Sequence, residues 1–136
     1  MSSPLPSATA SLTVGDRDLA SGLGIVEDRF PAVFSTTRMI ALMEIAASRC
    51  LAPLVREGEL SVGVSVEVRH TAATPPGVEV IATARFLRME GKLYRFEVTA
   101  ADPAGEIGRG EHVRAIVSTE RLLAGAARRF AAPTEV

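Results

Sequence analysis

Three side chains carry chemistry at positions where their neighbours are mostly apolar. Glu44 falls four residues after Ile40, three before Ala47 and seven before Leu51, on an apolar helical stripe. A carboxylate there must be desolvated, paired or facing a cleft. It is either an ion-paired Glu at the edge of a buried face or a catalytic group. His70 ends an alternating strand on the face that carries four valines. It is either a core imidazole bonded to a backbone carbonyl or, beside a carboxylate, a general base. Thr36 lies between Ser35 and Thr37, just ahead of the strongest helical pattern. Its hydroxyl is either an N-cap or a nucleophile or water-positioning group at a helix N-terminus, where backbone N–H groups stabilise an oxyanion. Eight residues of helix span about 12 Å. Thr36 and Glu44 therefore share a site within one chain only if Thr36 folds back from ahead of the helix. Otherwise they belong to different sites, or a dimer brings copies together.

Other positions could support such a site. Gly63 interrupts a strand between Ser61 and Ser65, which marks a bulge or the close approach of a ligand or another backbone. His112 and Arg114 share one face of the last strand. That face is either solvated or, through Arg114, a partner for an anion or carboxylate. Cys50 lies on the apolar helical stripe and reads as core packing.

The elements that must position these residues follow from periodicity. Residues 1–10, rich in Ser, Pro and Ala, read as a loose segment, and 131–136 as a loose tail. Leu12, Thr13 and Val14 form a short strand, and the Gly-rich stretch 18–26 reads as another. Met39, Met43, Ala46, Cys50 and Leu54 recur at helical spacing, so residues 37–55 are predicted to form a largely buried helix. Leu60, Val62, Val64, Val66 and Val68 alternate with polar residues up to His70, predicting a strand with one apolar face. Turns at Pro75–Gly77, Met89–Lys92 and Asp102–Gly105 divide the remainder into three more strands. Residues 119–130 close the chain as a short helix. Consecutive strands with short connections pair antiparallel. One apolar helix against such a sheet is a two-layer α+β domain.

Composition removes several classes of function. The 136 residues carry 15 Lys and Arg against 16 Asp and Glu, a net charge of −1, with no Trp. No basic field or aromatic platform exists for nucleic acid. A single Cys forbids an intrachain disulfide and a Cys-based metal site, and two His are too few for a His-rich one. No apolar run reaches membrane-spanning length, and the N-terminus lacks the features of a secretory signal. A cytoplasmic protein is the expectation.

Five blocks in order carry a resemblance: Phe30-Pro31-Ala32-Val33-Phe34-Ser35-Thr36, Leu42-Met43-Glu44, His70-Thr71-Ala72-Ala73-Thr74-Pro75-Pro76-Gly77, Glu106-Ile107-Gly108, and His112-Val113-Arg114. Together, over roughly residues 12–120, they resemble the fluoroacetyl-CoA thioesterase family. The resemblance implies a hotdog fold, a long central helix wrapped by an antiparallel sheet, as one domain over residues 11–130 acting as a homodimer. It implies a catalytic set of Thr36, Glu44 and His70, with Phe30, Gly63 and Arg114 against the substrate. His70 would act as acid or base, Glu44 as carboxylate partner or nucleophile, and Thr36 as a hydroxyl that positions or attacks. The implied reaction is hydrolysis of an acyl-CoA or acyl-carrier thioester to free acid and thiol. It needs no cofactor, since coenzyme A enters as part of the substrate. The rival is a non-catalytic acyl-CoA-binding or pathway-editing module. The fluoroacetyl-specific member closes its site with two Phe. Phe30 matches one, but Glu27 stands near the other, and Thr37-Arg38 replace a Gly-Phe pair. The expected acyl group is therefore something other than fluoroacetyl.

Overall fold

The computed structural model describes residues 2–132. The alternating segment forms β2 (Glu59–His70), and the turns that follow divide β3 (Glu79–Glu90), β4 (Leu93–Asp102) and β5 (Gly105–Ser118). With β1 (Ser7–Thr13) they build one antiparallel sheet in the order β1-β3-β4-β5-β2. Helix α1 (Thr36–Cys50) packs against all five strands, and α2 (Thr119–Arg129) follows β5. The expected α+β layering is what forms, but β2 and β3 are not neighbours as their succession in the chain implied: β3 pairs with β1, and β2 lies at the far edge against β5. Among the described residues no helix is long and apolar enough to cross a membrane.

The core lies between α1 and the inner face of the sheet. Met39, Leu42, Met43, Ala46, Ala47 and Cys50 are buried against Val80, Ala82 and Ala84 of β3 and Phe96, Val98 and Ala100 of β4. The predicted helix stops five residues early, at Cys50, and Ala52–Leu54 form a single tighter turn. Pro53 is the reason: it has no N–H to donate and its ring clashes with the carbonyl four residues back. Gly108 seats the other end of the helix. A Cβ there would lie 2.5 Å from Met39 Sδ, so a glycine lets the first turns of α1 lie close on β5.

Three further expectations are corrected. Residues 7–10 are not loose: β1 begins at Ser7 and pairs with β3 from Ser7↔Arg85 to Thr13↔Glu79. Its inward residues are Ala8, Ala10 and Leu12, a period of two written in small side chains. The stretch 18–26 is not a strand. Single helical turns at Asp16–Asp18, Ala20–Gly22 and Val26–Asp28 fold it into a compact connection. The buried Asp18 fixes its start, accepting from Gly15 N–H at 2.8 Å and pairing with Arg38 Nε at 2.9 Å. Of the tail, residues 133–136 lie outside the described residues.

The third correction concerns the face of β2. The register with β5 runs Gly63↔Arg114 and then Ser65↔Val113, so Val64 is an extra residue. A bulge of this kind exchanges the two faces of a strand. Ser61 and Gly63 face α1 before it, and Val66, Val68 and His70 after it. Leu60 and Val62 fall on the other face, and Val64 is exposed. The apolar face predicted for the whole strand belongs only to its second half.

Candidate active site

The bulge divides the candidate residues into two clusters. The first lies where α1 begins. Ser35 caps the helix, its Oγ accepting from Arg38 N–H at 3.1 Å, and Met39 N–H bonds the Ser35 carbonyl. Thr36 and Thr37 occupy the first turn, where backbone N–H groups have no partner inside the helix. Thr36 Oγ1 lies 2.8 Å from His70 Nδ1. The imidazole is flanked by the buried Phe34, edge to face at 6.4 Å. Its Nε2 is buried without a hydrogen-bond partner among the described residues. Desolvation pushes the His70 pKa below the usual 6.5, and the Ala72 backbone opposes this in part. The ring is thus kept neutral at physiological pH, the state in which it can take a proton.

These two residues border an open pocket of about 390 Å³ with Ala20, Pro31, Val33, Phe34 and the loop Thr71–Ala73. The His70–Gly77 segment holds that loop in place. Thr74 accepts from Phe34 N–H at 2.9 Å through its carbonyl, and donates from its hydroxyl to Asp102 at 2.8 Å. Phe30 stands outside this lining, 48% exposed, as does the exposed Glu27. Phe34 is the aromatic ring beside His70.

The second cluster lies two turns further along α1. Glu44 Oε2 accepts from Arg114 Nη1 at 2.9 Å. Arg114 also donates from Nε to Ser61 Oγ at 3.1 Å and from Nη2 to the Ser61 carbonyl at 2.9 Å. Its Nη1 stands 3.1 Å from His112 Nε2, and His112 Nδ1 lies 2.8 Å from the Ser65 carbonyl. Gly63 makes room for this carboxylate: a Cβ there would come within 2.6 Å of Glu44 Oε2. The close approach read from the sequence is that of Glu44 itself. Glu44 keeps one side open, with 41% of its side chain exposed in a shallow recess beside Gly63 and Val64–Val66.

Within one chain, then, the structure joins Thr36 to His70 and Glu44 to Gly63 and Arg114, and does not join the two groups. His112 was not singled out from the sequence as a site residue, yet it is 1% exposed and Arg114 6%. The obstacle was a second bulge. Ala100 pairs with Gly108 and Ala101 with Glu106, leaving Ile107 unpaired. Counting by twos from the apolar Ile107 sends His112 and Arg114 outward, whereas the bulge turns them in. Nothing in the sequence sets Gly63 opposite Arg114, because β2 pairs with β5 and not with β3, which follows it in the chain.

Residues 14–120 match the family described as fluoroacetyl-CoA-specific thioesterase. A fluoroacetyl-CoA thioesterase of Streptantibioticus cattleyicolor is 45% identical over 93 residues, 68% of this chain and 67% of that protein. A solved structure of the fluoroacetyl-CoA thioesterase FlK superposes with a TM-score of 0.88 at 34% identity, over 96% of this chain and 99% of the other. A thioesterase-superfamily member from Thermus thermophilus superposes at 0.81 with 27% identity, over 93% and 92%. A hot-dog-like protein from Thermanaerovibrio acidaminovorans gives 0.81 with 26% identity, over 96% and 94%. With its long helix against a five-stranded antiparallel sheet, this chain has the hotdog fold and belongs to the fluoroacetyl-CoA-specific thioesterase family.

Proposed function

We infer that the protein is a thioesterase that hydrolyses a short acyl-CoA, with Thr36 and His70 at the reacting carbon. The observation that carries this reading is the 2.8 Å contact between Thr36 Oγ1 and His70 Nδ1 at the N-terminus of α1. A hydroxyl within reach of a neutral imidazole is the arrangement of an activated nucleophile. The Thr36 hydroxyl donates to Nδ1. As Oγ1 bonds the thioester carbonyl carbon, its proton passes to Nδ1, and the carbonyl oxygen becomes an oxyanion facing the first-turn N–H groups. The C–S bond then breaks, and the leaving thiolate takes the proton from His70. A water, deprotonated by the same imidazole, cleaves the acyl-Thr36 ester to free acid. The small pocket walls at Ala20, Val33, Ala72 and Ala73 suit a short acyl chain. With Glu27 near the position of the second lid Phe and Thr37-Arg38 in place of a Gly-Phe pair, selectivity for the fluoroacetyl group is not expected.

Glu44 enters through a second copy of the chain. β2 is an edge strand, and its central residues Gly63–Glu67 are exposed, Val64 and Val66 among them. An exposed apolar edge of this kind invites pairing with another strand, and closed two-fold dimers are the commonest assembly. Antiparallel pairing of β2 with its copy about an axis at Glu67, with Val64 again the extra residue, would set Gly63, with Glu44 beside it, opposite the partner's His70. The acyl pocket of one copy and the carboxylate of the other would then form one site, with Glu44 orienting the hydrolytic water.

A thiol-release assay over a panel of short acyl-CoAs tests the activity. Release by the native protein, abolished in Thr36→Ala, is expected. Saturable binding with no thiol released from any member would assign the chain instead to a binding module. Sedimentation should give a dimer, and a strictly monomeric mass would remove the shared site.

A further inference from the structure

Glu44 is held by Arg114, and Arg114 is held by a residue that the thioesterase reading does not use. The Ser65 carbonyl 2.8 Å from His112 Nδ1 can only accept, so Nδ1 carries the proton. Burial favours the neutral ring, as does the Arg114 charge beside it, while the Ser65 carbonyl and Glu44 act in the opposite sense. Nε2 is then a lone-pair acceptor, 3.1 Å from Arg114 Nη1. Its distance to Glu44 Oε2 is 3.9 Å, too long for a hydrogen bond, so the imidazole acts on the carboxylate through the arginine. His112 cannot drift from this position. It pairs with Val66 on β2 and Phe96 on β4, and the ring is enclosed.

We propose that His112 is a positioning residue: by accepting one Nη1 hydrogen of Arg114 it fixes the rotation of the guanidinium, so that the other Nη1 hydrogen is aimed at Glu44 and holds the carboxylate over the space that Gly63 leaves. Ser61 fixes the opposite side of the same fork through Nε and Nη2. The guanidinium is thus constrained from both sides and Glu44 from one, which leaves its exposed side for the reaction. This inference rests on the reading that Glu44 takes part in hydrolysis, and its test separates the two.

The test compares His112→Leu, His112→Gln and Glu44→Gln in the full chain, with acetyl-CoA and fluoroacetyl-CoA as substrates and the side-chain carboxyl 13C resonance of Glu44 as a readout independent of turnover. Leucine fills the space without an acceptor. Glutamine offers an N–H to Ser65 and an oxygen to Arg114. A misplaced catalytic group costs on the order of 10–100-fold, so His112→Leu should lose about that factor in kcat with KM nearly unchanged, and should shift the Glu44 carboxyl resonance. His112→Gln should recover most of kcat and the native resonance. If the leucine variant does not fold, His112→Asn, polar but too short to reach Arg114, should show the same loss. Leu and Gln variants equally impaired, an Asn variant as active as Gln, or an unshifted Glu44 resonance in the leucine or asparagine variant would each overturn the proposal. A fully active Glu44→Gln protein would instead overturn the role of Glu44, while the resonance would still report whether His112 positions it.

Discussion

The two polar clusters along α1 are built on opposite plans. At the first turn, Thr36 and His70 share one hydrogen bond, Phe34 packs on the ring, and His70 Nε2 has no partner among the described residues. Two turns on, Arg114 makes four contacts with Ser61, His112 and Glu44, and His112 is bonded at both ring nitrogens. The first arrangement leaves the nucleophile and base of the proposed mechanism free to exchange a proton in an apolar setting. The second fixes one carboxylate and keeps one side of it open. A reacting pair needs the freedom that a saturated network removes, and a positioning network needs the saturation that would quench a reacting pair.

The largest effect should come from the sparse cluster. Removing a general base costs about 10²–10⁴-fold, so His70→Ala should lower kcat by that factor in a thiol-release assay while leaving the fold intact by circular dichroism. A variant within threefold of native would make the Thr36–His70 contact incidental. Gly63→Ala comes next and bears on the dense cluster alone. Its methyl would sit within 2.6 Å of Glu44 Oε2, so Glu44 must move off Arg114. We expect a kcat loss on the order of tenfold or more, with the pocket at Thr36 unchanged and KM little affected. An equal rise in KM would place Gly63 against the substrate instead.

The pH dependence sharpens the contrast further. Both imidazoles have pKa values lowered from 6.5, chiefly by burial. The proposed hydrolysis needs neutral His70, so the acid limb of kcat/KM should have its midpoint below 6.5. A midpoint above it would mean that the ring is not desolvated during the reaction. For stability the sign follows from proton counts. The unfolded chain binds protons as pH falls through about 6.5, and the native chain does not until the lower native values are reached, so stability declines over that interval on acidification. Chemical denaturation at neutral and mildly acidic pH should show the decline, and His112→Gln should reduce it. The smallest effect is expected at the Asp18–Arg38 pair, which ties the connection before α1 to its first turn at 2.9 Å. Arg38 is half exposed, so Arg38→Ala should cost no more than about 1 kcal/mol. A larger loss would mean that the turn depends on this pair for its position.

Much of the fold was legible because periodicity survives where packing is regular. β2 occupies residues 59–70 as its alternation predicts, and α1 starts at the Ser35–Thr37 cluster. Legibility failed wherever one residue broke the period. Val64 in β2 and Ile107 in β5 are each a single inserted residue, and each exchanges inner and outer faces. Gly63 marked the bulge in β2, beside Val64, though not the exchange of faces it causes, and no side chain announces the one at Ile107, because bulges arise from pairing with a distant strand. His112 therefore looked like half of a solvated face. β1 was hidden for another reason: Ala8 and Ala10 are too small to stand out, yet small residues are what the close approach of α1 requires there. His70 and Thr36 could be singled out individually, but their contact joins residues 34 apart and depends on where β2 ends.

Whether the carboxylate of one copy serves the Thr36–His70 pocket of the other can be read from subunit mixing. Thr36→Ala and Glu44→Ala proteins, each inactive alone, are unfolded together, refolded at equal amounts and assayed for thiol release. If the site is shared across a two-fold dimer, half of the refolded dimers are mixed and each mixed dimer regains one native site of two, so about a quarter of native turnover should return. A mixture no more active than either variant alone would mean that the carboxylate does not act across the dimer.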